Sequence, residues 1–188
     1  MNHLSKIIIE DSRRIINKIN FSALNNKSIL ITGASGLIGT YLLACLYHLY
    51  TLKKFEIKIN IVIHSDLSEF IQPFIKDLDC SIYQGDLTNQ EFCKTLPQAD
   101  YIIHAAGYGQ PGKFMENPIK TIQINTTTTL DLFEHLNKNG AFLFLSSSEV
   151  YRNTNTDHPR ASYIEGKRMG ETICNEYRKL GVNAKSAR

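Results

Sequence analysis

The sequence predicts an α/β fold in which helices cover both faces of a doubly wound parallel sheet. Short apolar segments alternate with segments of helical periodicity along most of the chain, which is typical of parallel strands joined by helices. A glycine-rich turn follows the first apolar segment directly, as expected at the first strand-to-helix junction of such a sheet. We expect the 188 residues to form one domain, residues 27–188, preceded by an N-terminal helical extension, residues 1–26.

The composition is ordinary for a globular protein and argues against several classes of partner. The net charge of +3 comes without a dense run of Lys or Arg, so we expect no nucleic acid partner. No apolar run approaches the roughly 20 residues that cross a bilayer, so no membrane association is expected. The four cysteines lie far apart and form no cluster with histidines, which predicts reduced thiols, a cytoplasmic location and no metal site.

The first 26 residues carry isoleucines at roughly helical spacing, with Arg13, Arg14 and Lys18 between them. This pattern predicts an amphipathic helix that lies against the domain or against a partner subunit. A short helix at a membrane surface is the alternative.

The stretch Ser28–Thr40 combines an apolar strand, a tight turn and the start of a helix. Gly33, Gly36 and Gly39 follow the strand with the spacing G-x-x-G-x-x-G. The first glycine allows the turn, the second allows backbone N–H groups to approach a pyrophosphate, and the third allows close packing of helix and strand. The helix N-terminus adds unpaired N–H groups that favour a phosphate. The residues expected to contact a dinucleotide here are Gly33, Ser35, Gly36, Leu37 and Ile38. The alternative is a glycine turn that binds nothing.

The second strand is predicted between Lys53 and Ser65, where isoleucines alternate with other residues. In dinucleotide-binding folds an acidic residue just past this strand binds the adenosine ribose hydroxyls. Asp66 is the acid closest to that position, and no Arg or Lys stands beside it to meet a 2′-phosphate, which favours NAD over NADP. The alternative is that Asp66 caps the helix predicted over Leu67–Leu78.

Two further strand ends carry residues suited to a flat cofactor. The third strand, Cys80–Tyr83, is soon followed by Asp86 and Leu87, and a carboxylate there can lie beside an adenine amino group. The fourth strand ends in the small residues Ala105 and Ala106, at the edge where open α/β sheets bind ligands. We expect all four residues to contact the cofactor.

The same periodicities predict the remaining elements. They are a helix over Asn89–Leu96, a fourth strand over Tyr101–Ala105, a mobile glycine-rich loop over Tyr108–Phe114, one long helix from Pro118 to about Lys138 and a fifth strand over Ala141–Leu145. Because four consecutive threonines weaken its helix propensity, packing must stabilise the long helix.

The candidate proton-transfer groups follow the fifth strand, where Ser147 stands at the strand end and a Tyr-x-x-x-Lys pair opens the next helix. Tyr163 and Lys167 are four residues apart and share one helix face. A free phenol, with a pKa of about 10, is a poor base at neutral pH, but a nearby ammonium favours the phenolate. The phenolate would accept a proton from a substrate hydroxyl as hydride leaves its carbon, while Ser147 holds the same oxygen. The alternative is an exposed helix pair without chemistry.

Together these motifs resemble the extended short-chain dehydrogenase/reductase family of nucleotide-sugar enzymes. The shared features are Thr32-Gly33-Ala34-Ser35-Gly36-Leu37-Ile38-Gly39, Gly85-Asp86-Leu87, His104-Ala105-Ala106, Ser147 and the Tyr163/Lys167 pair. The resemblance covers nearly the whole chain after about Lys27. It implies a Rossmann-like fold, NAD as cofactor with Tyr163 and Lys167 in contact with it, a nucleotide-sugar substrate and a homodimer formed through the helices near Pro118 and Tyr163.

Within that family the chain is most similar to the UDP-glucuronate decarboxylases. The similar stretches are Asn117-Pro118-Ile119-Lys120-Thr121, Ser146-Ser147-Ser148-Glu149-Val150-Tyr151 and Pro159-Arg160-Ala161-Ser162-Tyr163 with Glu165-Gly166-Lys167-Arg168. The resemblance implies a UDP-sugar substrate that is oxidised at C4 with Tyr163 as base, loses CO2 and is reduced again, while Glu149 assists at the sugar. A 4-epimerase or 4,6-dehydratase of the same family, or a non-catalytic dinucleotide-binding module, are the alternatives.

The chain departs from the decarboxylase pattern at several places. Ser147 stands where threonine is usual, Arg152 stands where glycine is expected, and the segment between Tyr151 and Pro159 is shorter. The chain ends at Arg188, where a sixth strand is expected to begin, so we expect the C-terminal substrate-binding part of the family to be absent from it.

Overall fold

The computed structural model describes residues 3–67 and 71–188, which form two compact units, residues 1–85 and residues 86–188. The helices are α1 (His3–Lys18), α2 (Leu37–Lys53), α3 (Gln72–Ile75), α4 (Gln90–Cys93), α5 (Pro111–Glu116), α6 (Pro118–Asn125), α7 (Thr127–Phe133) and α8 (Ala161–Lys179). The strands are β1 (Lys27–Thr32), β2 (Ile57–Ile63), β3 (Cys80–Gln84), β4 (Ala99–His104), β5 (Leu136–Leu145) and β6 (Asn183–Ala187). Single 3₁₀ turns occur at Ser22–Leu24 and Ser148–Tyr151.

The strands pair in parallel within each unit. Their order is β3-β2-β1 in the first unit and β4-β5-β6 in the second. Each order matches one half of the 3-2-1-4-5-6 strand order typical of Rossmann folds. The predicted class, a Rossmann-like doubly wound parallel sheet with helices around it, is confirmed.

In the first unit, the apolar strands are buried and α1 packs against α2. Ile29, Leu30 and Ile31 of β1 are at most 1% exposed, as expected of a parallel strand covered on both faces. The predicted N-terminal amphipathic helix is present as α1, and its Ile8 joins Ala44 of α2 in a buried cluster. The division of the chain at residue 26 stays a prediction.

In the second unit, α8 packs closely on β5. A Cβ at Gly170 would lie 2.3 Å from the ring of Phe144, so only glycine allows this approach. Phe144 itself is fully buried. Position 170 therefore fixes how near α8, which carries the Tyr-x-x-x-Lys pair, lies to the fifth strand.

Two expectations for the segment between β4 and β5 were wrong. The predicted loop over Tyr108–Phe114 contains the start of α5, because Pro111 is accommodated in the first helical turn. The predicted long helix is two helices, α6 and α7, interrupted at Thr126, whose φ of −120° and ψ of −82° are not helical. The Thr126 hydroxyl donates to the Ile122 carbonyl, and such back-bonding competes with regular helix geometry.

The ends of the fifth and sixth strands also differ from expectation. β5 begins at Leu136, five residues earlier than predicted, and it contains Asn139 with a left-handed φ of 67°. Gly140 is required there because a Cβ would lie 2.6 Å from the Asp100 carbonyl oxygen. The sixth strand does not begin at Arg188: β6 already ends at Ala187, paired with β5.

The helix predicted over Leu67–Leu78 is much shorter in the described residues, where only α3 is helical. Residues 68–70 of that prediction lie outside the described residues. No helix among the described residues is both long enough and apolar enough to cross a membrane.

Candidate active site

In the first unit, the glycine turn joins β1 to α2 with little space. Gly33 has a φ of 71°, and its carbonyl accepts the Gly36 N–H at 3.0 Å. Gly36 caps α2, and its carbonyl accepts both the N–H and the hydroxyl of Thr40 at 2.8 Å. A Cβ at Gly39 would lie 2.4 Å from the Gly33 carbonyl oxygen and 2.6 Å from the Ala34 Cα. The third glycine is therefore required by the approach of α2 to the turn itself.

The residues at the start of α2 are exposed, although two of them are large and apolar. Ser35 and Gly36 are exposed, and Leu37 and Ile38 are 69% and 56% exposed. The first N–H groups of a helix have no partner within the helix, and the helix dipole makes this end attractive to an anion. The start of α2 thus combines N–H groups that have no partner within the helix with exposed apolar side chains.

Asp66 lies at the end of β2, as predicted, in an exposed bend. It does not cap α3, because that helix begins at Gln72 with Ile71 at its N-cap. The carboxylate is accordingly accessible, three residues after the end of β2.

In the second unit, Asp86 is already engaged by two neighbours that the sequence did not indicate. Its Oδ1 accepts the N–H and the hydroxyl of Thr88 at 2.9 and 2.7 Å, and its Oδ2 lies 2.7 Å from Lys120 Nζ. Partial burial raises the pKa of Asp86, but the Lys120 and Thr88 hydrogen bonds outweigh it and hold the pKa at about 2. Leu87 is only 6% exposed, and its carbonyl accepts the Thr128 hydroxyl at 2.7 Å.

The end of β4 presents small residues next to a buried histidine. Ala105 and Ala106 are half-buried. His104 is fully buried and its Nε2 lies 2.8 Å from the Ile124 carbonyl; burial lowers its pKa to about 4, so the ring is neutral at neutral pH. A Cβ at Gly107 would lie 3.7 Å from Lys167 Nζ, so β4 ends beside the lysine of the Tyr-x-x-x-Lys pair.

Beyond β5, Ser147 is the N-cap of the 3₁₀ turn and Glu149 lies within that turn, and both residues are half-buried. Ser147 Oγ accepts the Glu149 N–H at 3.2 Å, which leaves the hydroxyl proton to donate elsewhere. Glu149 Oε1 forms a 2.5 Å ion pair with Arg160, whereas Oε2 lies 4.0 Å from Arg152 Nε and has no hydrogen-bond partner among the described residues. One carboxylate oxygen of Glu149 is thus buried with its hydrogen-bonding capacity unused among the described residues.

Tyr163 and Lys167 share one face of α8, as predicted. Lys167 Nζ donates to the Leu145 carbonyl at 2.6 Å and lies 4.7 Å from the ring centre of Phe144 and 5.9 Å from that of Tyr163. Burial lowers the pKa of Lys167 to about 8. The alternative of an exposed helix pair is wrong, because Lys167 is 6% exposed.

Three site neighbours were missed by sequence reasoning: Lys120, Arg160 and Phe114. Phe114 stacks on Tyr163 with ring centres 4.6 Å apart, and Arg160 Cζ lies 6.0 Å from the Phe114 ring centre. These contacts join α5 to the start of α8, and no motif in either segment indicated the pairing.

Within the second unit a phenol, a buried ammonium, a serine hydroxyl and a carboxylate therefore cluster around the end of β5, a combination suited to proton transfer. No group of three or more possible metal ligands occurs in residues 3–67 and 71–188.

Comparison with known proteins identifies the family. The model of the NAD dependent epimerase/dehydratase family matches residues 29–188. UDP-glucuronic acid decarboxylase 1 of Danio rerio is 31% identical over 182 residues, which cover 89% of this chain and 42% of that protein. UDP-glucose 4-epimerase of Neisseria meningitidis serogroup A is 30% identical over 157 residues, covering 78% of this chain and 43% of that protein.

Solved structures agree with the fold. The Bordetella bronchiseptica enzyme WbmF in complex with NAD+ superposes with a TM-score of 0.63 at 20% identity, covering 89% of this chain and 50% of that one. The chain spans about half the length of the curated relatives it matches. With the family model matched from β1 to the last residue, the chain belongs to the NAD dependent epimerase/dehydratase family, whose cofactor is NAD.

Proposed function

We propose that this chain is the NAD-binding and proton-transfer part of an enzyme that acts on a UDP-sugar in the manner of the UDP-glucuronate decarboxylases. The observation that carries the proposal is the buried Lys167 ammonium, which lies over the Tyr163 ring. Ser147 and Glu149 belong to the same cluster at the end of β5. A buried cation beside a phenol favours the phenolate, which is the form that can accept a proton.

The residues present fit NAD. A side chain at Gly36 would place a Cβ 3.3 Å from the Gly33 carbonyl oxygen, and the exposed Leu37 and Ile38 border the same turn. We assign Gly33, Ser35, Gly36, Leu37 and Ile38 to the pyrophosphate and its neighbourhood. Asp66 is assigned to the ribose hydroxyls, which favours NAD over NADP. We assign the other contacts with NAD to residues of the second unit: Asp86, Leu87, Ala105, Ala106, Tyr163 and Lys167.

Bound NAD supplies a reversible hydride acceptor, and the chain's own residues supply the proton transfers. Tyr163 accepts the C4 hydroxyl proton of the sugar as the C4–H hydride departs, and later returns it. Lys167 stabilises the phenolate, and the Ser147 hydroxyl donates a hydrogen bond to the same C4 oxygen. Glu149 assists at the sugar, since its buried Oε2 has no hydrogen-bond partner among the described residues.

The substrate proposed is UDP-glucuronate. Once C4 is a ketone, the sugar carboxylate is β to a carbonyl, so CO2 leaves while its bonding electrons delocalise into the ketone. The resulting enolate takes up a proton at C5, and C4 then regains its hydride and the proton that Tyr163 holds. The runner-up is a UDP-sugar 4-epimerase, because a UDP-glucose 4-epimerase is 30% identical to the chain. That reaction uses the same Tyr163 and Lys167 but returns hydride to the opposite face of C4.

Product analysis tests the proposal. The protein is incubated with NAD and, in separate reactions, UDP-glucuronate or UDP-glucose, and the nucleotide-sugars are separated and examined by mass spectrometry and proton NMR. We expect a product lighter by one CO2. A product of unchanged mass with inverted C4 identifies the epimerase, and unchanged UDP-glucuronate and UDP-glucose from a protein that binds NAD support the non-catalytic module.

We further propose that the chain forms a homodimer through α6 and α8. These helices pack together and expose large apolar residues, with Ile119 67%, Ile122 40% and Met169 50% exposed. Sedimentation equilibrium should give twice the chain mass, and Ile122→Glu should give the mass of one chain. A wild-type monomer at micromolar concentration contradicts the proposal. The cytoplasmic location stays a prediction.

A further inference from the structure

Helix α8 carries a third polar residue in line with the Tyr-x-x-x-Lys pair. Tyr163, Lys167 and Glu171 are spaced four residues apart, so they form one stripe along the helix. Glu171 is only 9% exposed, and a buried carboxylate requires partners. The mechanism proposed above leaves Glu171 without a role.

The partners of Glu171 come from two strand ends. The Ser146 hydroxyl donates to Glu171 Oε1 at 2.5 Å. Arg188, directly after β6, donates from Nε to Oε1 at 2.8 Å and from Nη2 to Oε2 at 2.5 Å. The Arg188 guanidinium therefore binds the carboxylate with two parallel hydrogen bonds, a geometry that fixes orientation as well as distance.

The same network reaches the residues assigned to proton transfer. Ser146 immediately precedes Ser147. The carbonyl of Leu145, one residue before Ser146, accepts a hydrogen bond from the Lys167 ammonium. Arg188 Nη1 also donates to the Tyr151 hydroxyl at 2.5 Å, at the end of the 3₁₀ turn that contains Glu149. Lys167 and Glu171 thus attach successive residues of the β5 end to successive turns of α8.

We propose that the Glu171–Arg188 ion pair, with Ser146, is a positioning device that sets the register of α8 on the end of β5. It thereby holds Lys167 and Tyr163 beside Ser147. The inference rests on the proposed function for the use of these residues. Glu171 and Arg188 are positioning residues, since neither is assigned a contact with substrate or cofactor. Glu171 is buried whereas Arg188 is exposed, and ion pairs in such positions add little net stability. Fixing one arrangement is the better-attested use of them.

The ionisation of Lys167 tests the inference without requiring turnover. The double variant Glu171→Gln/Arg188→Gln removes the pair and leaves the net charge unchanged. Lysine Nζ and Cε resonances are followed by NMR against pH, and Lys167→Met assigns the signal. The titratable groups that face Lys167 are Tyr163 on its own helix and His104 at the end of β4, and neither is altered. Glu171 lies one turn along the same stripe, and its negative charge is removed together with the positive charge of its partner Arg188.

In the wild-type protein we expect Lys167 to titrate with a pKa of about 8, lowered by burial. In the double variant, α8 loses its register and water reaches Lys167, so its pKa should rise by about one unit or more. The matched control is Glu176→Gln/Lys179→Gln, which removes an exposed ion pair of the same helix and should leave the Lys167 titration unchanged.

A Lys167 pKa that stays at about 8 in a folded double variant would overturn the inference and leave the pair a purely structural feature. If the double variant does not fold, Ser146→Ala is used instead, because it removes only the hydrogen bond to Glu171. We then expect a smaller rise in the Lys167 pKa, and an unchanged pKa would again overturn the inference. Turnover provides an independent reading, in which kcat should fall while KM for the UDP-sugar changes little. The titration is decisive even if the protein turns over no UDP-sugar, so failure of the proposed function is distinguishable from failure of this inference.

Discussion

Replacing Tyr163 with phenylalanine is expected to lower turnover of the UDP-sugar by about 10²–10⁴-fold while NAD binding is retained. Phenylalanine preserves the ring that stacks on Phe114 at 4.6 Å, so the site should stay folded. The hydroxyl that accepts the substrate proton is lost. Initial rates give the effect on kcat, and calorimetric titration with NAD gives the effect on binding.

Tyr177→Phe is the matched control for this variant. Tyr177 lies on the same helix, and its ring stacks on Phe133 with centres 3.8 Å apart, a contact that phenylalanine also makes. Its turnover should equal that of the wild-type protein. If Tyr163→Phe retains full turnover, the assignment of the proton acceptor is wrong and another group must act as base.

Replacing Gly39 with alanine is expected to disrupt the turn that is assigned to the pyrophosphate. The new Cβ would lie 2.4 Å from the Gly33 carbonyl oxygen, a backbone atom that moves only if the turn moves. Overpacking of this kind costs about 1–3 kcal/mol of unfolding free energy. Denaturant unfolding should show that loss, and affinity for NAD should fall by about tenfold or more because the N–H groups of the turn are displaced.

Gly112→Ala gives the opposite expectation and serves as the control. Gly112 lies in α5, and a Cβ there meets nothing within 4 Å. Alanine should therefore raise the unfolding free energy by about 0.5–1 kcal/mol, because glycine is the poorer helix former. If Gly39→Ala has the unfolding free energy and the NAD affinity of the wild-type protein, the protein does not form the tight turn of residues 33–39.

The features that the sequence predicted well depend on local patterns. The strand, turn and helix of Ser28–Thr40 were predicted because apolar residues and glycines specify that junction over about a dozen positions. The shared face of Tyr163 and Lys167 was likewise predicted, since a spacing of four residues fixes it once a helix forms. The fold class followed from the alternation of such elements.

The features that were missed depend on contacts between distant segments. The break at Thr126 and the early start of β5 reflect backbone angles and a close approach to Asp100 that no local pattern encodes. The ion pair of Glu149 with Arg160 and the hydrogen bond of Asp86 with Lys120 join positions 11 and 34 residues apart. Pairings of this kind become visible only when the chain is folded.

Calorimetric titration of this chain with NAD, with NADP as the comparison, tests whether the glycine turn is a dinucleotide site. We expect saturable binding of one NAD per chain and weaker binding of NADP, since the exposed carboxylate of Asp66, which we assign to the ribose hydroxyls, would repel a 2′-phosphate. At about a hundred times its dissociation constant, NAD should also raise the unfolding free energy by about 2.7 kcal/mol. No binding of either nucleotide by a chain that unfolds cooperatively would contradict the assignment of the glycine turn as a dinucleotide site.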